Sequence, residues 1–158
     1  RREEAARIRW QDVDLKQRTL TIPITKNHDR LVLPLSDALL ALLESRHHDQ
    51  QVGFVFPGNG RTGYLIEPKR QIAHVRRICG IHFTIHDLRR TFATVAESLD
   101  VPYYAMKRLL NHRTQGDVTA GYIQISVERL RQPMQRISDF LLQGSDDAVQ
   151  ASLRSVSR

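Results

Sequence analysis

The sequence predicts a mainly α-helical fold with one small antiparallel β-sheet near its start, an α+β arrangement. Two observations carry this. Thr19 to Thr25 alternates polar and apolar residues, and a second apolar run, Leu31-Val32-Leu33 with Leu35, follows after five polar, turn-forming residues. That is the pattern of a β-hairpin. Beyond Ser36, apolar residues recur mostly at three- and four-residue spacing between Gly, Pro and capping residues, the pattern of successive helices.

Taken in order, Arg1 to Trp10 reads as a helix, with Ala5 and Ala6 as strong helix formers. No capping residue stands before it, so the chain is expected to be an amino-terminally truncated piece of a longer protein. In the first strand Leu20, Ile22 and Ile24 share a face. Ser36 caps a helix running to about Arg46, with Asp37 in its first turn and His47-His48-Asp49 as a polar turn after it. Phe54 to Pro57 reads as a short strand, and Gly58, Gly60 and Gly63 make the next stretch a loop. Ile72, Val75 and Ile78 mark a helix stopped by Gly80.

Thr84-x-x-Asp87 is a capping-box pattern opening a helix with Leu88, Phe92, Val95 and Leu99 on its buried face. Pro102 suits the first turn of the next helix, which turns Tyr103, Met106 and Leu110 inward. Asn111 to Gly116 is a loop, and Asp117 caps a short helix through Ile123. Ser126 caps the last helix, with Leu130, Met134, Ile137 and Leu141 along one stripe and Pro133 as a point for a kink. Residues 1–143 make one domain. Residues 144–158, rich in Ser, Asp and Arg, read as a polar tail whose composition suits disorder.

Composition narrows the function. The net charge is +7 and the pI about 10.2, which points to a polyanionic partner, nucleic acid first. Of 24 basic residues only Lys16, Lys26, Lys69 and Lys107 are lysines, leaving 20 arginines, and the guanidinium fork pairs bidentately with phosphate oxygens. The stretch from Arg61 to Arg113 holds ten basic and four acidic side chains and so contributes +6. Within it, Arg76, Arg77, Arg90 and Arg113 are candidate DNA-contacting residues. The lone Cys79 excludes an internal disulfide framework and suits a reducing cytoplasm. No apolar run reaches membrane-spanning length, and no signal-peptide pattern is present, so no membrane is expected.

Several residues could carry chemistry. His86 and Arg89 share a face at the start of a helix, where the positive helix end adds to a site for phosphate; the plainer reading is two solvated surface side chains. Lys26 sits at the tip of the hairpin, where it could dip into a groove or simply be solvated. His112 follows the helix that ends near Leu110 and could be a dipole-complementing cap. Tyr122 beside Gly121 could be ordinary packing, and Arg1 with Glu4 an ordinary surface pair. His82 and His86 lack an accompanying carboxylate cluster, so no metal site and no cofactor is expected. Gly58-x-Gly60-x-x-Gly63 lacks the following Lys-Ser/Thr or helix start of a nucleotide loop.

The order of these signals is more telling than any one of them. Arg1-x-x-Glu4, Ile8-x-Trp10-x-Asp12-x-Asp14-Leu15, the hairpin Thr25-Lys26-Asn27 leading to Leu33-Pro34-Leu35, Ile85-His86-Asp87-Leu88-Arg89-Arg90-Thr91-Phe92-Ala93-Thr94, Leu109-Leu110-Asn111-His112 and Gly121-Tyr122 occur in this sequence in that order. The chain thereby resembles the catalytic domain of the tyrosine recombinases, the phage integrase family, from Arg1 to about Leu142. The resemblance implies a catalytic set of Arg1, Lys26, His86, Arg89, His112 and Tyr122, with Glu4 supporting Arg1. Asn111 stands where the family often has Gly, and Asn also tolerates the left-handed conformation of a helix end. The spacing from His112 to Tyr122 is one residue longer than the commonest form, and Tyr103 and Tyr104 are nearby rivals that precede His112.

The resemblance implies double-stranded DNA as partner, cleavage and rejoining through a 3′-phosphotyrosine, and tetramer assembly on DNA by the full-length protein in the bacterial nucleoid. The apolar side chains Ile137, Phe140, Leu141 and Leu142 either cover this domain's own core or, as the resemblance implies for this region, reach a neighbouring protomer. A type IB topoisomerase would relax supercoils without strand exchange. A non-catalytic DNA-binding module would form no adduct.

Overall fold

The computed structural model describes the backbone of residues 1–49, 52–112 and 126–156, and their side chains except at 48, 49 and 145–156. The predicted helix from Asp117 to Ile123 lies outside the described residues. The element order is α1 (Arg2–Ala6), a 3₁₀ turn (Trp10–Asp12), β1 (Val13–Asp14), β2 (Thr19–Ile22), β3 (Leu31–Pro34), α2 (Asp37–Asp49), α3 (Lys69–Cys79), α4 (Ile85–Ser98), α5 (Tyr103–Leu109) and α6 (Val127–Val156). The protein is mostly helical with one three-stranded antiparallel sheet, in the order β1-β2-β3, as the α+β reading anticipates.

The hairpin forms as expected, with Thr19 opposite Pro34 and Ile22 opposite Leu31. It is shorter than its apolar pattern suggests. β2 stops at Ile22 because Pro23 follows and has no amide proton for the ladder. Ile24 is therefore exposed rather than sharing the buried face of Ile22. The opening helix is also shorter than expected, ending at Ala6. The next residues pair with a distant segment instead: Val55 N–H donates to Ile8 C=O at 2.9 Å and Trp10 N–H to Gly53 C=O at 3.0 Å. Ile8 and Trp10 are two apart, a strand-like period inside a helix-like composition. Phe54 to Pro57 forms only isolated bridges, Arg9 with Phe54 and Pro57 with Tyr64. Gly58 presses against the Tyr64 carbonyl, 2.4 Å from where a Cβ would stand, so its glycine is a packing requirement.

Ser36 caps α2 through its hydroxyl, which accepts from Leu39 N–H at 3.4 Å. The helix then carries on through His47 and His48 to Asp49, past the expected polar turn; Trp10 packs edge-on against the His47 ring, 4.9 Å between centroids. α3 ends as predicted, with Gly80 in the left-handed conformation at φ 68°. Its apolar stripe is not inward, however. Ile72 is half-buried, but Val75 is exposed and Ile78 is 70% exposed, and Leu88 at the start of α4 is exposed too. Ile72 and Arg76 line a concavity shared with residues of α1 and α4, while the Val75–Ile78 side stays exposed, so helical periodicity alone overstated the burial of α3.

The core has two parts. Trp10, Leu35, Leu43 and Val55 form one, joined by Val13 and Leu20 of the sheet and Leu39 and Leu40 of α2. Val95, Ala96, Val101, Ala105, Leu109, Leu130 and Ile137 form the other, joined by Leu33 of β3. α5 differs from its expected inward face: Ala105, Lys107 and Leu109 are buried while Tyr103 is exposed. α6 passes through Pro133 and continues helical to Val156, through the segment read as a polar tail. Leu130 and Ile137 have no exposed surface, whereas Leu141, expected on the same stripe, is exposed together with Phe140 and Leu142. Polar ties add to α6. Arg131 donates to the carbonyls of Gln17 at 2.9 Å and Arg18 at 3.2 Å, and Gln135 Oε1 accepts from Asp37 N–H at 2.9 Å.

Because Ile137 is enclosed by this protein's own core, Ile137→Ala should lower the unfolding free energy by about 2–5 kcal/mol in urea titration. Phe140→Ala, at an exposed position, should change it by less than about 0.5 kcal/mol. Equal effects from the two would contradict this assignment of faces.

Candidate active site

Most of the predicted site residues come from segments far apart in sequence and converge around Arg1. On one side, Glu4 joins Arg1 to the hairpin: Arg1 Nη1 donates to Glu4 Oε1 at 3.3 Å, and the same oxygen accepts the Lys26 backbone N–H at 2.9 Å. A concavity there is lined by Arg1, Glu4, Arg7, Thr25 and Lys26, among others. Partial burial alone would push the Glu4 carboxyl up. The hydrogen bonds, first from the Lys26 amide and then from Arg1, act the other way, and the carboxyl lies below its ordinary value. On the other side, a second concavity is lined by Arg1, Ala5, Ile72, Arg76, His86 and Arg89. Arg1 is thus common to both. α1 is held in place by Arg2 pairing with Glu67 at 3.2 Å and Arg7 Nε donating to Tyr64 Oη at 3.2 Å.

Arg89 is on the second turn of α4, half-buried, and its Nη2 donates to the carbonyl of Leu110 at the end of α5. Its pKa is lowered, first by burial and then by the positive charge of Arg1, with Glu4 acting the other way. Two guanidiniums therefore stand within each other's field. Both remain charged at neutral pH, since arginine does not deprotonate in proteins. An anion placed between them would relieve that repulsion and the desolvation together.

His86 occupies the first turn of α4 and is exposed. The predicted capping box is formed, with Thr84 Oγ1 accepting from Asp87 N–H at 3.2 Å and Asp87 Oδ2 accepting from Thr84 N–H at 2.9 Å. At the end of α5, Asn111 adopts the left-handed conformation at φ 48°. Asn111 N–H donates to Arg108 C=O at 3.1 Å and His112 N–H to Lys107 C=O at 2.9 Å. These are the paired bonds that close a helix around a left-handed residue, so Asn serves where Gly is usual. They set His112, exposed, two residues beyond the carbonyl that anchors Arg89.

The hairpin tip is more organised than a free lysine-bearing turn. Thr25 is buried, its N–H donates to Asp29 C=O at 3.0 Å, its hydroxyl bonds the Asp29 carboxylate, and the same hydroxyl accepts Asn27 N–H at 3.1 Å. Asn27 also reaches across to α5, as Nδ2 donates to Asn111 C=O at 3.2 Å and to Asn111 Oδ1 at 3.3 Å.

Tyr122 and Arg113 lie outside the described residues. Tyr103 and Tyr104 are on α5, where the ammonium of buried Lys107 lies 5.2 and 5.7 Å from their ring centres. Arg76 lines the second concavity, but its guanidinium also donates to the Phe83 carbonyl, with Nε at 2.9 Å. Arg77 pairs with His74 at 3.2 Å, and Arg90 is exposed beside Asp87 at 3.9 Å. Among the described residues, no group of three or more His, Cys, Asp or Glu could hold a metal ion. No helix among them is long and apolar enough to cross a membrane. Asn27 and Lys107 escaped sequence reasoning. Asn27 looked like a turn former, and a buried lysine has no signature in a helical pattern.

The family model described as phage integrase family matches residues 1–129. The chain belongs to the phage integrase family. It is 32% identical to the prophage integrase IntF of Escherichia coli (strain K12), over 90% of this chain and 32% of that protein. Its fold is similar to that of the integrase from mycobacterium phage Brujita, with a TM-score of 0.67 and 21% identity, covering 87% of this chain and 46% of that one. The chain thus spans less than half the length of either integrase. Among the described residues of this phage integrase chain, the two concavities share Arg1 and bring residues of α1, the hairpin and α4 together.

The capping box makes a testable contribution. Thr84→Ala should cost about 1 kcal/mol. The Thr84 hydroxyl and amide hold the Asp87 carboxyl below its ordinary value. Its stabilisation is therefore complete above the ordinary Asp range and is lost as pH falls through the lowered value. Thermal melts from pH 7 down to pH 3 should show the wild type losing its advantage over Thr84→Ala as the pH drops. An advantage that grows toward acid pH would refute this.

Proposed function

We propose that the chain is the DNA breaking-and-rejoining part of a site-specific recombinase, working through a 3′-phosphotyrosine. The observation that supports this best is the pair of like-charged guanidiniums, Arg1 and Arg89, with Lys26 and His86 opening on the same Arg1. Such an array suits one phosphodiester, with Arg1 and Arg89 on its non-bridging oxygens as charge builds in the transition state. Tyr122 attacks phosphorus and gives up its proton, with His86 and His112 placed to bond the phosphate or relay that proton. The bond to the 5′-oxygen breaks, and Lys26 protonates that oxygen. The products are a DNA 3′-phosphotyrosyl ester and a free 5′-hydroxyl. Attack by a 5′-hydroxyl reverses the exchange, so one ester replaces another and rejoining needs no ATP.

Double-stranded DNA is the substrate, with Arg76, Arg77, Arg90 and Arg113 as further contacts to its backbone. The full-length protein assembles as a tetramer on DNA, with the exposed Phe140 and Leu141 available for contacts between protomers. Its place is the nucleoid of a bacterium, and its relatives among prophage and phage integrases favour a role in moving a mobile element.

Incubating the full-length protein with a nicked suicide duplex of the element's attachment site should trap a covalent adduct on Tyr122. The adduct should form in EDTA, because arginine and lysine supply the positive charge. An adduct on Tyr103 or Tyr104, or one that survives Tyr122→Phe, would sink the assignment. A companion measurement separates chemistry from docking. Arg89→Ala should slow single-turnover cleavage by about 10²–10³-fold or more, while DNA affinity at fixed salt falls by less than about tenfold. Parallel losses would make Arg89 a docking residue.

A further inference from the structure

Lys26 is carried on a hairpin turn, and its side chain is exposed. An exposed lysine on a surface turn has many rotamers, and holding it costs side-chain entropy. Proton delivery to a leaving oxygen demands the opposite, a donor placed to within about an ångström. The turn must therefore be fixed relative to the groups that hold the phosphate. The structure gives it two such ties, and they flank Lys26. One is the Lys26 backbone N–H on Glu4 Oε1, the oxygen that also bonds Arg1. The other is the Asn27 side chain on Asn111.

The second tie joins segments 84 residues apart. Asn111 is a firm anchor. It is only 7% exposed, it holds the left-handed conformation that ends α5, and it lies between Leu110, whose carbonyl bonds Arg89, and His112. The bonds are also directional. Asn27 Nδ2 faces two acceptors, Asn111 Oδ1 and the Asn111 backbone carbonyl, and the backbone carbonyl can be satisfied only by a donor. The rest of Asn27 is already placed, because its backbone N–H is held by the buried Thr25 hydroxyl. The backbone around Lys26 is thus clamped between Arg1 on one side and the Arg89–His112 corner on the other.

We propose that Asn27 is a positioning residue for Lys26, locking the hairpin tip to Asn111 so that the lysine ammonium meets the 5′-oxygen as it leaves. The proposal rests on Lys26 being the general acid, and the test separates the two. Single-turnover cleavage by the full-length protein is measured on the attachment-site duplex and on the same duplex with a 5′-bridging phosphorothiolate at the cleaved bond. A thiolate leaves without a proton, so this substrate bypasses the acid.

Lys26→Ala should lose about 10²-fold or more on the ordinary duplex and recover on the phosphorothiolate. Asn27→Ala and Asn27→Asp should each lose about tenfold or more on the ordinary duplex. On the phosphorothiolate they should return to within about threefold of the parent. Asp keeps the size of Asn but offers only acceptors to the Asn111 backbone carbonyl, so it tests the donor even if the alanine variant folds poorly. Asn27 variants slow on both substrates, or Asn27→Asp as fast as the parent on the ordinary duplex, would overturn the proposal while leaving Lys26 in its role. If Lys26→Ala fails to recover, the reading of Lys26 falls and the proposal falls with it.

Discussion

Two guanidinium groups, Arg1 and Arg89, are held within each other's electrostatic reach, although burial and like charge both oppose it. Such an arrangement persists only when the surrounding structure fixes each partner independently. Arg89 is fixed by α4, whose later turns bury Val95 and Ala96 in the main core, and by the Leu110 carbonyl. Arg1 is fixed by Glu4 and by the ties from α1 to Tyr64 and Glu67. The folding energy of apolar burial thus maintains a site that an anion would stabilise.

Helix ends do much of the placing. α4 begins in a capping box, which orients the turn carrying His86 and Arg89. It ends with Asp100 left-handed at φ 52°, whose N–H and that of Val101 return to the carbonyls of Glu97 and Ala96. α5 ends in the same way at Asn111. Each left-handed residue turns the chain sharply while satisfying carbonyls that would otherwise lack partners. That geometry brings His112 beside the Arg89 anchor and leaves Asn111 facing the hairpin.

α6 acts on the site at a distance. Leu130 and Ile137 complete the core beneath α4 and α5, while Arg131 and Gln135 grip the β1–β2 turn and the start of α2. The sheet that carries the Lys26 hairpin and the helices that carry Arg89 and His112 are therefore bound to one long element. This limits how far the two halves of the site can drift apart.

The sequence by itself determined the helical class, the hairpin, the capping box at Thr84 and the stop at Gly80, because each depends on residues near one another in the chain. It also determined the family, because the motif order survives without any knowledge of contacts. Only the tertiary structure decided which apolar faces are covered. Ile22 and Ile24 share a strand-like pattern, yet one is buried and the other exposed, and the stripe of α3 is largely uncovered on its Val75–Ile78 side. Periodicity says which residues share a face, but it carries no information about what lies opposite. For the same reason Ile8 and Trp10 joined residues 53 to 55 rather than continuing a helix, and Asn27, an ordinary turn residue by composition, found its partner 84 positions away. Hydrogen bonds over such separations depend on how the core brings segments together, and that is settled only when the whole chain packs.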